Sequence, residues 1–273
     1  MIELINRYNN ILNDDIGFVE NWDFSRANLN EENRILAITQ VASICYQNPK
    51  ALGSESLYNR LASESMGLPS SSFEFVPVLL DYENPQHKEI LTLEYSNCKK
   101  YGEQLDDKYL LTNYRALVYD YENSSNLFSF DIRTIFNTKE ECEIIKNYFK
   151  VFLYKVDLPT RSQMVRHRVS WQELSRRYVS GKRVPFEFYI SEKLKNNPKV
   201  DKLIKQSTDL YFELLEAGVK PQEARRVIPQ MGYTQIWAAY MPKQLDNYFK
   251  LRLDETAQWE IRQTALAMQE LLR

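Results

Sequence analysis

Gln163-Met-Val-Arg166-His167-Arg168-Val-Ser-Trp-Gln-Glu173-Leu174-Ser175-Arg176-Arg177-Tyr178 puts four arginines and one of the chain's two histidines into sixteen residues. Arg161 stands two residues ahead of it and Arg183 shortly after. The chain as a whole needs no such concentration, since 35 Lys and Arg are set against 37 Asp and Glu for a formal charge of −2. Guanidinium forks hold phosphates through paired hydrogen bonds. Two ligand classes suit the run: a phosphorylated small molecule held by individual forks, or a nucleic-acid backbone met by a solvated basic face from 161 to 183. The near-neutral total weighs against a dedicated nucleic-acid protein.

Glycine sharpens this choice. Only seven occur, at 17, 53, 67, 102, 181, 218 and 232, with no two close together. Dinucleotide fingerprints and P-loops need clustered glycines so that backbone amides can approach phosphates. A nucleotide bound here must therefore be held mainly by side chains. With 273 residues, 44% apolar and 26% charged, the chain can bury a substantial core as one large domain or two modest ones. MIELINRYNN lacks the apolar stretch of a signal peptide, and no apolar run approaches a membrane span. Cys45, Cys98 and Cys142 are odd in number and far apart, which fits a reducing cytoplasm. None has a Cys or His at metal-ligand spacing, so no metal is expected.

Outward from the arginine run, the pattern alternates helix and strand. Residues 1–66 read as largely helical, and a Gly67-to-Ser72 loop leads to a strand candidate at 73–80, where Pro77 implies an edge or an end. Residues 81–148 are polar and tyrosine-rich, with helical stretches around 103–119 and 139–149. Val151 to Val156 reads as a strand, and Pro159 then opens a helix into the arginines. A short strand at 186–190 and an amphipathic helix at 199–217 follow. Beyond them come a short helix at 222–227, a strand through Tyr233 to Trp237, and helices over 242–251 and 255–272. Arg225 and Arg252 fall at element ends, where binding groups tend to sit.

These residues resemble the flavin-dependent thymidylate synthases, in two blocks at about 160–190 and 221–266. The first has Gln163, Arg166-His167-Arg168, Glu173-Leu174-Ser175, Arg177-Tyr178 and Phe186-Glu-Phe-Tyr189. The second reads Ala224-Arg225-Arg-Val-Ile-Pro229, Tyr233-Thr234, Asn247, Leu251-Arg252 and Ala257-Gln258-Trp-Glu260-Ile261. The resemblance implies a helix-rich α/β fold (α+β mixed) with a central sheet, a single domain over 1–273, and a homotetramer with active sites between subunits. It implies FAD as bound cofactor, and NADPH and methylenetetrahydrofolate as co-substrates. The implied reaction is methylation of dUMP to dTMP, in the cytoplasm, with no membrane or nucleic-acid partner.

By the same resemblance Arg166, His167, Arg168 and Asn247 contact the flavin, and Gln163 and Arg166 reach the nucleotide. Glu173 lies at both. Leu174, Ser175 and Arg177 approach dUMP from the neighbouring subunit, and Arg225 completes the nucleotide site. Arg252 takes the catalytic part: a cation beside N3 of uracil favours the anionic ring, which makes carbon 5 nucleophilic. No cysteine nucleophile is then required.

Three departures from the family pattern matter. Six residues separate Arg168 from Ser175, one fewer than in the signature; a continuous helix would rotate the remainder by about 100°, whereas an irregular loop absorbs the loss. Arg176 is the residue that such a shift would bring to the serine's place. The loop before Phe73-Glu74-Phe75 has Pro69 and Ser71 but no histidine, leaving Ser43 and Ser71 as the flavin-contact candidates of the N-terminal half. Residues 81–148 look like an insertion. Beside dUMP methylation, action on another pyrimidine nucleotide and nucleic-acid binding through 161–183 stay open at this point.

Overall fold

The computed structural model describes residues 7–13, 16–63, 68–124 and 127–273. Gly67 and parts of the expected N-terminal helical stretch (1–6, 14–15 and 64–66) lie outside the described residues. In chain order the elements begin with strands β1 (Arg7–Asn13) and β2 (Gly17–Trp22) and helices α1 (Glu31–Tyr46) and α2 (Glu55–Ala62). Next come β3 (Pro77–Asp81), α3 (Pro85–Leu91), α4 (Asn97–Tyr101), β4 (Glu103–Gln104), β5 (Tyr109–Asn113), α5 (Tyr114–Ser124) and α6 (Lys139–Tyr148). The C-terminal half holds β6 (Lys150–Asp157), α7 (Leu158–Met164), β7 (Ser170–Glu173), α8 (Pro198–Glu216), α9 (Pro221–Ala224), β8 (Tyr233–Tyr240), α10 (Pro242–Arg252) and α11 (Trp259–Leu271).

β6 and β8 make the centre of a five-stranded antiparallel sheet ordered β1-β2-β6-β8-β7. Their register runs from Lys150 opposite Tyr240 to Asp157 opposite Tyr233. Side chains of a strand alternate between faces. Ile236, Ala238 and Tyr240 of β8, with Phe152, Tyr154 and Val156 of β6, therefore face one core, closed by Met164 of α7, Tyr248 of α10 and Ile261, Ala265 and Met268 of α11. Trp237, Ala239 and Val151 face a second core with Ile38, Val41 and Ala42 of α1, Phe73 and Phe75. A sheet covered on both faces explains the nearly unbroken apolar runs of β6 and β8.

The second core continues into a three-stranded antiparallel sheet ordered β3-β5-β4, through Leu79, Leu110 and Leu111. Its strands β4 and β5 belong to residues 81–148. Arg34 of α1 ties this region to the first. It is 2% exposed, donates to Asn28 Oδ1 and to the carbonyls of Arg133 and Ile135, and lies 3.9 Å from the Tyr114 ring centre.

The helix-rich α/β class with a central sheet holds, while several boundaries differ from the sequence expectations. Residues 7–22 form a hairpin instead of helix; β2 pairs with β6, Phe18 opposite Lys155, a partner far away in sequence. At 71–75 the chain makes a 3-10 turn, and the strand begins with Pro77 itself, where a missing N–H is tolerated. The helix expected over 103–119 is β4 and β5 followed by α5, because Tyr109 to Asn113 pairs with β3. Residues 186–190 make only an isolated bridge, Phe188 to Gly232. The last helix starts at Trp259 rather than 255. Most important for function, the helix opened by Pro159 and capped by Asp157 ends at Met164. The arginine run is thus a loop followed by the edge strand β7, not the continuous helix in which a one-residue deletion would rotate the remainder.

No helix among the described residues is long and apolar enough to cross a membrane. No group of three or more His, Cys, Asp or Glu among them is placed to hold a metal ion.

Candidate functional site

The arginine loop folds back against α10, and this contact organises the site. Arg252, on the last turn of α10, donates from Nε to His167 Nε2 at 2.8 Å and from Nη2 to the Gln163 carbonyl at 3.1 Å. His167 is 6% exposed; its ring packs 4.7 Å from the buried Tyr248 ring, and its carbonyl accepts Trp171 Nε1–H at 3.0 Å. Burial, then the adjacent guanidinium, lowers the His167 pKa to about 4. At neutral pH the imidazole is therefore uncharged, with Nε2 as acceptor and the proton on Nδ1. A neutral ring that accepts from Arg252 fixes that guanidinium without cancelling its charge.

Around this pair lies a cleft of about 370 Å³ lined by Arg166, His167, Arg168, Val169, Lys243, Gln244, Asn247, Leu251 and Arg252. Four cations and two amides line it, and none of its lining residues is a carboxylate. That donor set fits an anionic, multiply hydrogen-bonding group such as a flavin dinucleotide, whose pyrophosphate guanidinium and ammonium groups would hold. Lys243 was not foreseen from sequence. It sits in the first turn of α10, where a cation opposes the helix dipole; its backbone N–H donates instead to the Glu103 carboxylate, at 3.0 Å to Oε2.

Gln163 anchors a second string. Its amide donates to Gln258 Oε1 at 2.7 Å, Gln258 donates to Glu260, and Tyr189 hydroxyl reaches the other Glu260 oxygen at 3.3 Å.

Glu173, at the end of β7, is held from both sides. Arg161 Nε donates to Oε2 at 2.9 Å and Thr234 Oγ1 to Oε1 at 2.9 Å. Arg161 is the ion-pair partner of Glu173, a pairing not evident from the sequence. The Glu173 carbonyl accepts Cys45 Sγ–H at 2.9 Å, Gln172 Nε2 donates to that sulfur, and Ser71 Oγ donates to Gln172 Oε1 at 2.6 Å. Ser71 thus reaches β7 rather than the cleft. Leu174 is buried, its N–H on Gln235 O at 2.9 Å, and Ser175 N–H donates to Cys45 O at 3.3 Å.

Arg177 and Arg225 converge elsewhere, on Gln222: Arg177 Nε donates to its Oε1 at 3.2 Å and Arg225 Nε to its carbonyl at 3.3 Å. Both are exposed, and neither lines the Arg252 cleft. Ser43 also stands apart, donating to Gln40 O at 2.7 Å beside a 230 Å³ hollow at the end of α1. Arg176 does not take the serine's place. Its guanidinium donates to the carbonyls of Val184 and Pro185 and stacks 4.5 Å from the Phe186 ring centre.

The family model described as thymidylate synthase complementing protein matches residues 133–273, just over half of the chain. A flavin-dependent thymidylate synthase of Thermotoga neapolitana is 36% identical over 138 residues, covering 45% of this chain and 62% of that protein. Those of Saccharolobus solfataricus and Thermococcus onnurineus are each 37% identical, over 115 and 113 residues. They are matched over 40% and 39% of this chain, and over 43% and 46% of their own lengths. The chain thus spans less than two thirds of each of these relatives. The region matched by the family model carries the arginine loop, β8 and α10 together, and the chain belongs to the thymidylate synthase complementing protein family.

Proposed function

We propose that this chain methylates dUMP to dTMP, with FAD bound, methylenetetrahydrofolate as one-carbon donor and NADPH as reductant. The observation that carries this reading is Arg252, a cation fixed on neutral His167 at the wall of a cleft without carboxylates. A guanidinium so placed stabilises negative charge on the uracil ring at N3 and its flanking oxygen, raising the nucleophilicity of carbon 5. Arginine suits the task because it stays charged when dehydrated. Arg166, Arg168 and Asn247 hold the flavin, and His167 acts by orienting Arg252. The flavin supplies the hydride that completes the methyl group.

Gln163 and Arg166 reach the nucleotide, and Glu173 is held ready by Arg161 and Thr234. Leu174, Ser175, Arg177 and Arg225 serve a site on a neighbouring subunit, with Ser43 and Ser71 as flavin contacts of the N-terminal half. Two observations support a homotetramer with shared sites. Arg177 and Arg225 meet on the surface away from the Arg252 cleft. The 19-residue α8 buries only Ser207 and Tyr211, leaving Leu203 and Leu210 about half exposed. Continuity of the second core from Trp237 to Leu111 supports a single domain in which 81–148 is an insertion. The absence of any disulfide joining the three cysteines suits the cytoplasm.

Nucleic-acid binding is less well supported, because several arginines of 161–183 are engaged within the fold. Arg161 pairs with Glu173, Arg176 binds carbonyls, and Arg183 donates to Gln47 O. The test is release of tritium from carbon 5 of labelled dUMP, dependent on NADPH and methylenetetrahydrofolate, with dCMP and UMP as competitors. Arg252→Ala is expected to abolish release while retaining flavin. Protein that cannot take up FAD, or that turns over another nucleotide and not dUMP, would overturn the reading.

A further inference from the structure

A cavity of about 840 Å³ is walled by residues 97–119 of the insertion on one side and by the family core on the other. The insertion contributes Asn97, Lys100, Tyr101, Asn113, Arg115 and Tyr119. The core contributes an apolar floor of Phe149, Val169, Ala239 and Met241. Arg168, Val169, Lys243 and Gln244 line both this cavity and the 370 Å³ cleft of Arg252. The two spaces therefore share a wall that carries two cations.

The charges inside the larger cavity are unequal in availability. Its carboxylates are both engaged: Glu74 pairs with Arg115, and Glu103 accepts the Lys243 backbone N–H. Arg115 is engaged as well, donating also to Pro69 O at 2.9 Å and Tyr119 hydroxyl at 3.4 Å. Lys100, Arg168 and Lys243 are left as exposed cations at the cavity. Tyr101, with 54% of its surface exposed, offers a ring above the floor, and the Lys100 ammonium lies 5.0 Å from its centre. Glu103 holds this wall in place by its bond to the start of α10. Gly102 lets the end of α4 pack closely on β5, because a Cβ there would stand 2.4 Å from Cys98 O and 2.7 Å from Leu111 O.

We propose that the insertion forms the seat for an adenosine phosphate moiety of a dinucleotide. The planar base would lie between Tyr101 and the apolar floor, and the phosphates would meet Arg168 and Lys243 where the two spaces adjoin. Aromatic rings bind any base through its π-face, and cations hold its phosphates. Asn97 and Asn113 each keep part of their amide for the base edge, since Asn97 Nδ2 donates to Asp120 and Asn113 Oδ1 accepts the Ala116 N–H. FAD and NADPH both carry this moiety. The inference rests on the flavin reading of the smaller cleft only for the FAD source.

The test uses the intact chain, stripped of flavin, titrated with FAD, FMN, NADPH and reduced nicotinamide mononucleotide, for wild type, Tyr101→Ala and Lys100→Ala/Tyr101→Ala. These side chains are exposed, so both variants should fold, and a circular dichroism melt checks this. The double variant is expected to weaken one dinucleotide roughly tenfold or more while its mononucleotide is unaffected. A selective loss of FAD assigns the seat to the flavin, and a selective loss of NADPH assigns it to the reductant. Unchanged affinity for both dinucleotides, or a mononucleotide weakened in step with its dinucleotide, overturns the proposal. Wild type that binds neither FAD nor FMN overturns the flavin reading instead, and the NADPH arm still decides this one.

Discussion

Acidification should weaken the fold through His167, by an amount that can be worked from its surroundings. The ring is buried, and its only basic nitrogen accepts the Arg252 Nε–H. Protonation would break that bond and set a second cation against the first. The folded pKa is lowered to about 4 from 6.5. Between these values the unfolded chain binds a proton that the folded chain refuses, so stability is complete above pH 6.5 and is lost progressively down to pH 4. The full difference is about 3 kcal/mol, which in a chain of this size corresponds to roughly 6–12 °C in Tm. Asp157 and Glu141 work in the opposite sense, since burial raises their pKa and the folded chain then binds protons more readily. A bare pH series would mix these effects. The informative measurement is the difference in Tm between wild type and His167→Asn from pH 7 to pH 4, because asparagine can still accept from Arg252 but does not titrate. NMR gives the pKa directly. The chain has only two histidines, and His87→Asn removes the other. An imidazole titrating near 6.5, or Tm curves for the two proteins that run parallel through the window, would refute the reasoning.

Three further outcomes follow from individual contacts in the fold. Arg34→Ala removes the donors to Asn28 and to the carbonyls of Arg133 and Ile135 in a buried setting, and should cost roughly 3–5 kcal/mol in urea unfolding; a loss below about 1 kcal/mol would mean that water replaces those donors. Gly102→Ala forces two backbone carbonyls apart and should destabilise by about 1–3 kcal/mol, with an unchanged melt counting against the close approach. Glu173→Gln breaks a part-exposed ion pair with Arg161, so stability should move by about 1 kcal/mol or less. Calorimetry should nevertheless show dUMP affinity reduced roughly tenfold, about the worth of one charge-assisted hydrogen bond, and unaltered affinity would remove Glu173 from the nucleotide site.

What the sequence made legible and what it hid divide along one physical line, the distance over which a residue's partner must be found. β6 and β8 were readable because both faces are buried, so their apolar runs carry the signal locally. β2 was not, since what makes Gly17 to Trp22 a strand is pairing with β6 far down the chain. The same division separates the arginines. In sequence, Arg161, Arg166, Arg168, Arg176, Arg177 and Arg183 are six equivalent charges. In the fold, Arg161 is matched to Glu173, Arg176 to two carbonyls and Arg183 to a third, while Arg166 and Arg168 face the cleft. No local periodicity distinguishes these fates. Nor does it show that His167 accepts from a residue 85 positions away, the contact that turns Arg252 from a helix-terminal charge into a directed one. Family resemblance could single out Arg252 because it compares whole sites. It could say nothing of Lys100 or Tyr101, which lie in a segment outside the two resembling blocks and line the cavity beside Arg168 and Lys243, where Glu103 reaches across to α10.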